Sequence, residues 1–275
     1  DAMDHSCAFD ATFTIFLNIW KEQPIKWSDK FRHVSGMMSN FSLMLEECSR
    51  GRLTLEQARD IVRTGLRRRA PEYFPYGTAG TSIDKLITTM FHVDRTHAVG
   101  HRICRKCEYA DGREEQLFNA YICAIPSHSQ IAQHPNGIAV SKWLVDHLKR
   151  ATSRCPRCSL IGISSRLTVD YKVISVPSLL ILALDCPGLE YSPTLTFDVE
   201  GLLSVLKLRG VIYGGDHHFT SRYITPVERF NAWFHDGIST GRSCILEGDM
   251  NNLPNGHLKS ARGKNTINLM YAQVL

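Results

Sequence analysis

The feature that most constrains how this chain can fold is a pair of Cys-x-x-Cys motifs about fifty residues apart, Cys104-Arg105-Lys106-Cys107 and Cys155-Pro156-Arg157-Cys158. Each motif can form a knuckle presenting two thiolates, and two knuckles complete the tetrahedral sulfur set that suits Zn²⁺. The segment between them must therefore loop out and return. With all four ligand positions filled by sulfur there is no room for water, so the expected zinc is a structural staple rather than a catalytic ion. The chain has nine cysteines, an odd number, which fits a reducing compartment better than a disulfide framework. Cytoplasm or nucleus is the expected location. Cys48, Cys123, Cys186 and Cys244 read as ordinary packing residues.

A ninth thiol, Cys7, stands at the other kind of informative position. From Phe9 onward, Phe9, Phe13, Phe16, Leu17 and Trp20 recur at helical spacing, so a helix is expected to begin near Cys7 and bury one face. A thiol at a helix start faces unpaired N–H groups and the positive end of the dipole, which favour thiolate, the nucleophilic form.

The first ninety residues read as helical throughout. A second helix is expected from Ser28-Asp29 to Gly51, turning Phe31, Val34, Met38, Phe41 and Leu45 inward. A third opens with Thr54-Leu55-Glu56-Gln57, a capping-box pattern, buries Leu55, Ala58, Ile61, Val62 and Leu66, and stops before Pro71. A fourth starts near Ser82. After His97 the texture changes to strand-like runs, interrupted by a helical stretch at Val140–Leu148 and ending with Ile267–Val274, which is expected to close the sheet. Helices first and strands afterwards predict an α+β fold.

Composition removes several function classes. The net charge of +5 is mild, and Arg67-Arg68-Arg69 falls at a helix end, where cations complement the dipole. Arg102, Arg105, Lys106, Arg154 and Arg157 surround the cysteine pairs and keep a zinc-ribbon nucleic-acid protein in view as a competing class; a solvated rim is the simpler reading. No apolar stretch approaches the roughly 20 residues of a membrane-spanning helix, so no membrane partner is expected. No signal peptide precedes Cys7, and the start at Asp1 reads as that of a domain cut from a longer protein. Phosphate-loop, flavin and nicotinamide fingerprints are absent from the sequence, and no organic cofactor is expected.

The second chemical signal is Tyr213-Gly214-Gly215-Asp216-His217-His218-Phe219-Thr220, followed by Trp233-Phe234-His235-Asp236-Gly237. Side chains alternate along a strand, so only one of His217 and His218 can address a cleft. A cysteine hydrolase needs an imidazole to take the thiol proton and a carboxylate or amide to hold the ring's other nitrogen. Asp236 can supply that carboxylate from an adjacent strand. Asp216, two residues from His218, is the alternative.

Taken in order, these motifs resemble the ubiquitin-specific protease family of papain-like cysteine peptidases. Ser6-Cys7-Ala8-Phe9-Asp10-Ala11 is similar to its cysteine box, and the two Cys-x-x-Cys pairs to its zinc-bearing fingers. Val176-Pro177 with Ser178–Leu184 resembles the strand that follows the fingers. Leu208–Tyr213 with His217-His218-Phe219-Thr220 resembles the histidine box, Trp233–Asp236 the segment that delivers the third triad member, and Asn268–Ala272 the closing strand. The resemblance covers nearly the whole chain, and it implies one catalytic domain over 1–275 with a papain-like fold. A helical thumb spans about 1–93, zinc-bearing fingers about 98–165, and an antiparallel palm about 166–275.

It further implies a Cys7–His218–Asp236 triad that cleaves the peptide or isopeptide bond after a C-terminal Gly-Gly. The implied partners are ubiquitin and ubiquitinated proteins. A SUMO or other ubiquitin-like-modifier protease, or a catalytically weak ubiquitin-binding pseudoprotease, are the alternatives. Two departures stand out. The family usually places an asparagine upstream of the cysteine as oxyanion donor, yet Asp1–Ser6 hold no carboxamide, which leaves the Cys7 N–H, with His5 or Ser6 as substitutes. The glutamine-rich box expected before the fourth helix is poorly matched by Gly80–Asp84.

Overall fold

The computed structural model describes residues 6–274 except 76, 78, 79, 92–95, 119, 127, 135, 136, 150, 185–187, 226–229 and 255; His5 and Cys186 thus lie outside the described residues. Five helices come first: α1 (Cys7–Glu22), α2 (Pro24–Val34), α3 (Gly36–Ser49), α4 (Leu55–Arg69) and α5 (Ile83–Met90). The expected second helix is two. Ser35 takes an extended conformation and its hydroxyl accepts from the Met38 N–H at 3.0 Å, capping α3 and breaking the run. The apolar stripe continues in phase across that break, so the pattern hides it. The capping box at Thr54 forms with both of its hydrogen bonds. On α4, however, Leu55 and Ile61 face solvent while Arg63 is buried, its guanidinium over the Phe9 ring and donating to the Pro75 carbonyl at 3.2 Å.

The chain then runs through β1 (Thr96–Ile103), β2 (Ala110–Phe118), β3 (Tyr121–Ala124), α6 (His128–Gln133), β4 (Ile138–Ala139), α7 (Val140–His147), β5 (Ala151–Arg154), α8 (Pro156–Leu160) and β6 (Arg166–Val173). It ends with β7 (Leu179–Leu184), β8 (Leu189–Glu190), β9 (Thr194–Val199), β10 (Leu202–Gly215), β11 (His218–Ile224), β12 (Asn231–His235), β13 (Ile245–Asp249), β14 (Ser260–Ala261) and β15 (Lys264–Gln273). The fold is α+β, with helices leading and sheets following.

A small sheet has the order β2-β1-β6-β5, all antiparallel, and a large one runs β13-β12-β11-β10-β15-β7-β3, with β9 and β14 added at the side. β3 joins parallel to β7, the exception in an otherwise antiparallel large sheet. The sheets do not divide at residue 165: β6 belongs to the small sheet and β3 to the large one. Nor does the last strand close an edge, since β15 lies between β10 and β7.

The helices pack on one face of the large sheet. Phe9, Phe13, Phe16, Phe31 and Phe41 form the centre of that layer, with Phe13 and Phe41 ring centroids 4.6 Å apart. α1 approaches the sheet closely because position 210 carries no side chain: a Cβ there would lie 2.5 Å from Ile15 Cγ2. On the opposite face Trp143, Tyr213, Phe234 and Tyr271 enclose a second core. Two buried arginines stitch the strands of the large sheet. Arg209 bonds Glu22 and donates to the Ile224 carbonyl at 2.9 Å, and Arg222 bonds Glu247 and the Tyr213 hydroxyl, the latter at 2.8 Å. Both are satisfied charges. Among the described residues no helix is long and apolar enough to cross a membrane.

Candidate active site

A cleft of about 1030 Å³ opens with α1 and α4 on one side and the β10–β11 turn and the segment after β12 on the other. Cys7, His217, His218 and His235 line it. Each arrives by a different local device.

Cys7 is the first residue of α1, half-buried, with the Ser6 carbonyl accepting from the Asp10 N–H at 2.9 Å. Its thiol is pushed up by burial; the N–H groups of Phe219, Ala8 and Cys7 itself hydrogen-bond the sulfur and oppose the rise, while the Asp10 carboxylate adds to it. The N–H groups at the helix start thus favour thiolate in the expected direction, but the net shift is upward. Desolvation outweighs the donors. The contact with the Phe219 N–H also places the sulfur directly against β11. β12 pairs with β11 only from Ser221 onward, opposite His235, so the side of Phe219 turned away from β10 meets Cys7 rather than a strand.

His218 starts β11. Gly215 and His218 are paired across a two-residue turn in which Asp216 and His217 have φ of 51° and 56°. That is the left-handed conformation that favours a tight hairpin and lets the right-handed twist of the strands continue through it. His217 is therefore a turn residue outside strand alternation, and both histidines line the cleft where only one was expected to; Asp216 lies in the same turn, so it does not flank His218 along a strand. The His218 Nε2 stands 2.8 Å from Asp236 Oδ1. A carboxylate accepts only, so Nε2 carries the proton and Nδ1 bears the basic lone pair.

Asp236 follows the end of β12 and is itself firmly held. Burial works to raise its carboxyl, but hydrogen bonds from His218, the Ile238 N–H at 3.0 Å and the Ser239 hydroxyl at 2.9 Å prevail, and its pKa falls to about 2. The preceding His235 is buried between Thr14 of α1 at 3.4 Å and the Gly241 carbonyl at 3.1 Å, and burial pulls its pKa down. Gly237 lies against Asp10: a Cβ there would be 3.4 Å from Asp10 Oδ2, an ordinary van der Waals contact.

Ser6 is not free to donate to an oxyanion. Its hydroxyl gives its proton to Asp10 Oδ2 at 2.7 Å and accepts from Arg59 at 3.2 Å. Arg59 and Asp10, which sequence reasoning missed as a pair, meet at 3.1 Å beside the thiol. Two of the cysteines read as packing residues behave otherwise: Cys123 is exposed, and Cys244 lines the cleft within 4.0 Å of the Asn18 amide.

Some distance along the chain, Cys104, Cys107, Cys155 and Cys158 converge until their sulfurs lie within 4.8 Å of one another. Cys104 Sγ is 3.7 Å from Cys158 Sγ, and Cys107 Sγ 3.6 Å from Cys155 Sγ. A tetrahedral ion with metal–sulfur bonds of about 2.3 Å needs sulfur edges of about 3.8 Å, so the four donors fit a structural metal. The small sheet brings them together: one knuckle continues from β1, the other follows β5, and β6 pairs with both strands. The left-handed Glu108 (φ 56°) turns the first knuckle. Burial and the neighbouring sulfurs push the Cys158 thiol up to about 12, whereas the Ser165 hydroxyl is the main cause that brings Cys104 down to about 6.

No family model matches the sequence, and no curated protein does. Solved structures do. One is a chain of the SAGA DUB module Ubp8/Sgf11/Sus1/Sgf73 bound to monoubiquitin, with a TM-score of 0.61, 11% identity, and coverage of 99% of this chain and 68% of that chain. Another is the same module bound to ubiquitin aldehyde, with a TM-score of 0.58, 12% identity, and the same coverage. At such identity the likeness establishes the fold: this chain has an α+β architecture similar to that of the Ubp8 module, with a tetracysteine cluster of its own.

Proposed function

We propose that this chain is a cysteine hydrolase of the ubiquitin-specific protease type that cleaves after the C-terminal Gly-Gly of ubiquitin. What supports the reading is that Cys7 and His218 line one cleft, with Asp236 hydrogen-bonded to His218 behind it, on a fold similar to that of chains solved with ubiquitin or ubiquitin aldehyde bound. In this reading the five helices are the thumb, the small sheet with its Zn²⁺ the fingers, and the large sheet the palm.

His218 Nδ1 takes the Cys7 proton, and Asp236 holds Nε2–H and balances the charge of the imidazolium. The sulfur attacks the carbonyl carbon of the terminal glycine, and the first-turn N–H of Cys7 faces the oxyanion. Collapse breaks the C–N bond, the lysine amine departs with the proton from His218, and a thioester remains. Water, deprotonated by His218, then releases the modifier as a carboxylate.

The upward shift of the half-buried thiol and the occupied Ser6 hydroxyl favour a slow enzyme within this class. Losing one oxyanion donor costs about two to three orders of magnitude in rate. The test is a panel of C-terminal electrophile probes built on ubiquitin, SUMO and other ubiquitin-like proteins, scored by mass for an adduct on Cys7. A ubiquitin adduct lost in Cys7→Ala is the expected result. Preferential reaction with SUMO would move the assignment to that modifier, and affinity for ubiquitin without any adduct would make the chain a binder.

A further inference from the structure

Asp10 and Arg59 lie 49 residues apart in sequence, yet they meet at the thiol. Asp10 stands one helical turn after Cys7 on α1, where positions three apart share a face. Arg59 comes from α4, its side chain only 13% exposed, and its Nη1 reaches both Asp10 Oδ1 at 3.1 Å and Ser6 Oγ at 3.2 Å, while Nε bonds Asp60 at 3.1 Å. Ser6, the residue before the thiol, makes no side-chain cap to α1, because its hydroxyl is committed to this cluster instead. One guanidinium therefore touches both the residue that precedes Cys7 and the carboxylate that opposes its ionisation.

We propose that Arg59 is a positioning residue of the site: it screens the Asp10 carboxylate from the Cys7 sulfur and holds Ser6, and with it the first turn of α1, in the geometry the nucleophile needs. The proposal rests on Cys7 being the nucleophile, but its test does not require ubiquitin. The charged or titratable groups lining the cleft are Asp10 and an exposed Lys21 on α1, Glu56 and Arg59 on α4, Asp216, His217 and His218 at the β10–β11 turn, His235 at the end of β12, and Arg242 and Cys244 after it, with Asp60 bound to Arg59 and Asp236 to His218 behind them. Glu56 and Arg242 pair with each other at 2.5 Å across the outer rim. Arg59, 13% exposed, is thus the buried cation among the described lysines and arginines lining the cleft, since Lys21 is exposed and Arg242 is 74% exposed.

The experiment is the pH profile of Cys7 alkylation by a small haloacetamide on the intact chain, read on the Cys7 peptide by mass spectrometry. Arg59→Gln leaves the Asp10 charge bare, so the profile moves to higher pH and the rate below its midpoint falls roughly tenfold, the equivalent of one pKa unit. Asp10→Asn moves it the opposite way. Arg59→Lys restores the wild-type profile in part, and in the Asp10→Asn background Arg59→Gln no longer raises the midpoint. A folded Arg59→Gln variant with an unchanged midpoint overturns the proposal, as does a shift of the same size with or without Asp10. If Arg59→Gln does not fold, Asp10→Asn decides alone: a midpoint that stays in place overturns the screening role. Failure of every ubiquitin probe, with these shifts intact, would instead count against the protease reading.

Discussion

His218 Nε2 and Asp236 Oδ1 lie 2.8 Å apart, and that bond joins the start of β11 to the loop that leaves β12. His218→Ala is expected to lower the rate of ubiquitin-probe labelling by about two to four orders of magnitude, whereas His217→Ala, in the turn, changes it far less. Asp236→Asn should cost a comparable amount, because an amide turned toward the ring no longer imposes the Nε2–H tautomer. Asp216→Ala serves as the control. Equal losses at positions 216 and 236 would show that the contact at 2.8 Å does not orient the base.

The same carboxylate makes a prediction about acid. Its pKa is depressed to about 2, below the ordinary carboxylate value. A depressed carboxylate contributes stability that is complete above its unfolded pKa and is lost as pH falls through its folded one. For Asp236 that window runs from about pH 4 down to about pH 2, and the contribution is on the order of 2 kcal/mol. Urea unfolding should show wild type more stable than Asp236→Asn at pH 7, with the gap closing toward pH 2. A gap that stays constant over that range would mean that the hydrogen bonds to Asp236 do not favour its charged form.

The tetracysteine cluster predicts its own stoichiometry. Purified protein should carry one zinc per chain by elemental analysis, and replacement of any one of Cys104, Cys107, Cys155 and Cys158 by serine should abolish tight binding. Chelation should loosen the small sheet first, since both knuckles extend from its strands, and amide exchange in β1, β5 and β6 is the readout. Protection in these strands that survives a strong chelator would remove the metal from the account of the fold.

How much of this was legible in the chain depends on range. The α1 stripe and the Thr54 capping box are local patterns, and both formed where the spacing put them. The Cys-x-x-Cys pairs were legible because each pair carries its own chemistry, and their convergence follows from needing four ligands. The break at Ser35 was not, because Phe31, Val34, Met38 and Phe41 keep one helical phase across it. The central place of β15 depends on which strands it pairs with, which alternation along one strand does not encode. Arg59 was hidden for the same reason, since nothing in its own helix points to Asp10. The thiol's upward shift arises from burial in the assembled cleft, which no local pattern encodes.

The last prediction concerns what seats α1 on the sheet. A Cβ on residue 210 would meet Ile15 Cγ2 at 2.5 Å, Cδ1 at 2.7 Å and Cγ1 at 3.0 Å, and a β-branched side chain in a helix has little rotamer freedom with which to retreat. Gly210→Ala should therefore destabilise the protein by about 1–3 kcal/mol through overpacking. Ile15 sits two turns beyond Cys7 on the same helix, so lifting α1 also draws the sulfur away from Phe219 and His218. Probe labelling should accordingly fall even under conditions where the variant is fully folded. Ile15→Ala creates a cavity of its own, but in that background the added methyl has space, and Gly210→Ala should become neutral or favourable. The coupling energy between the two sites, measured by a double-mutant cycle in urea and again in labelling rate, is the decisive quantity. Additive effects in both readouts would mean that α1 does not owe its seat to the missing side chain at Gly210.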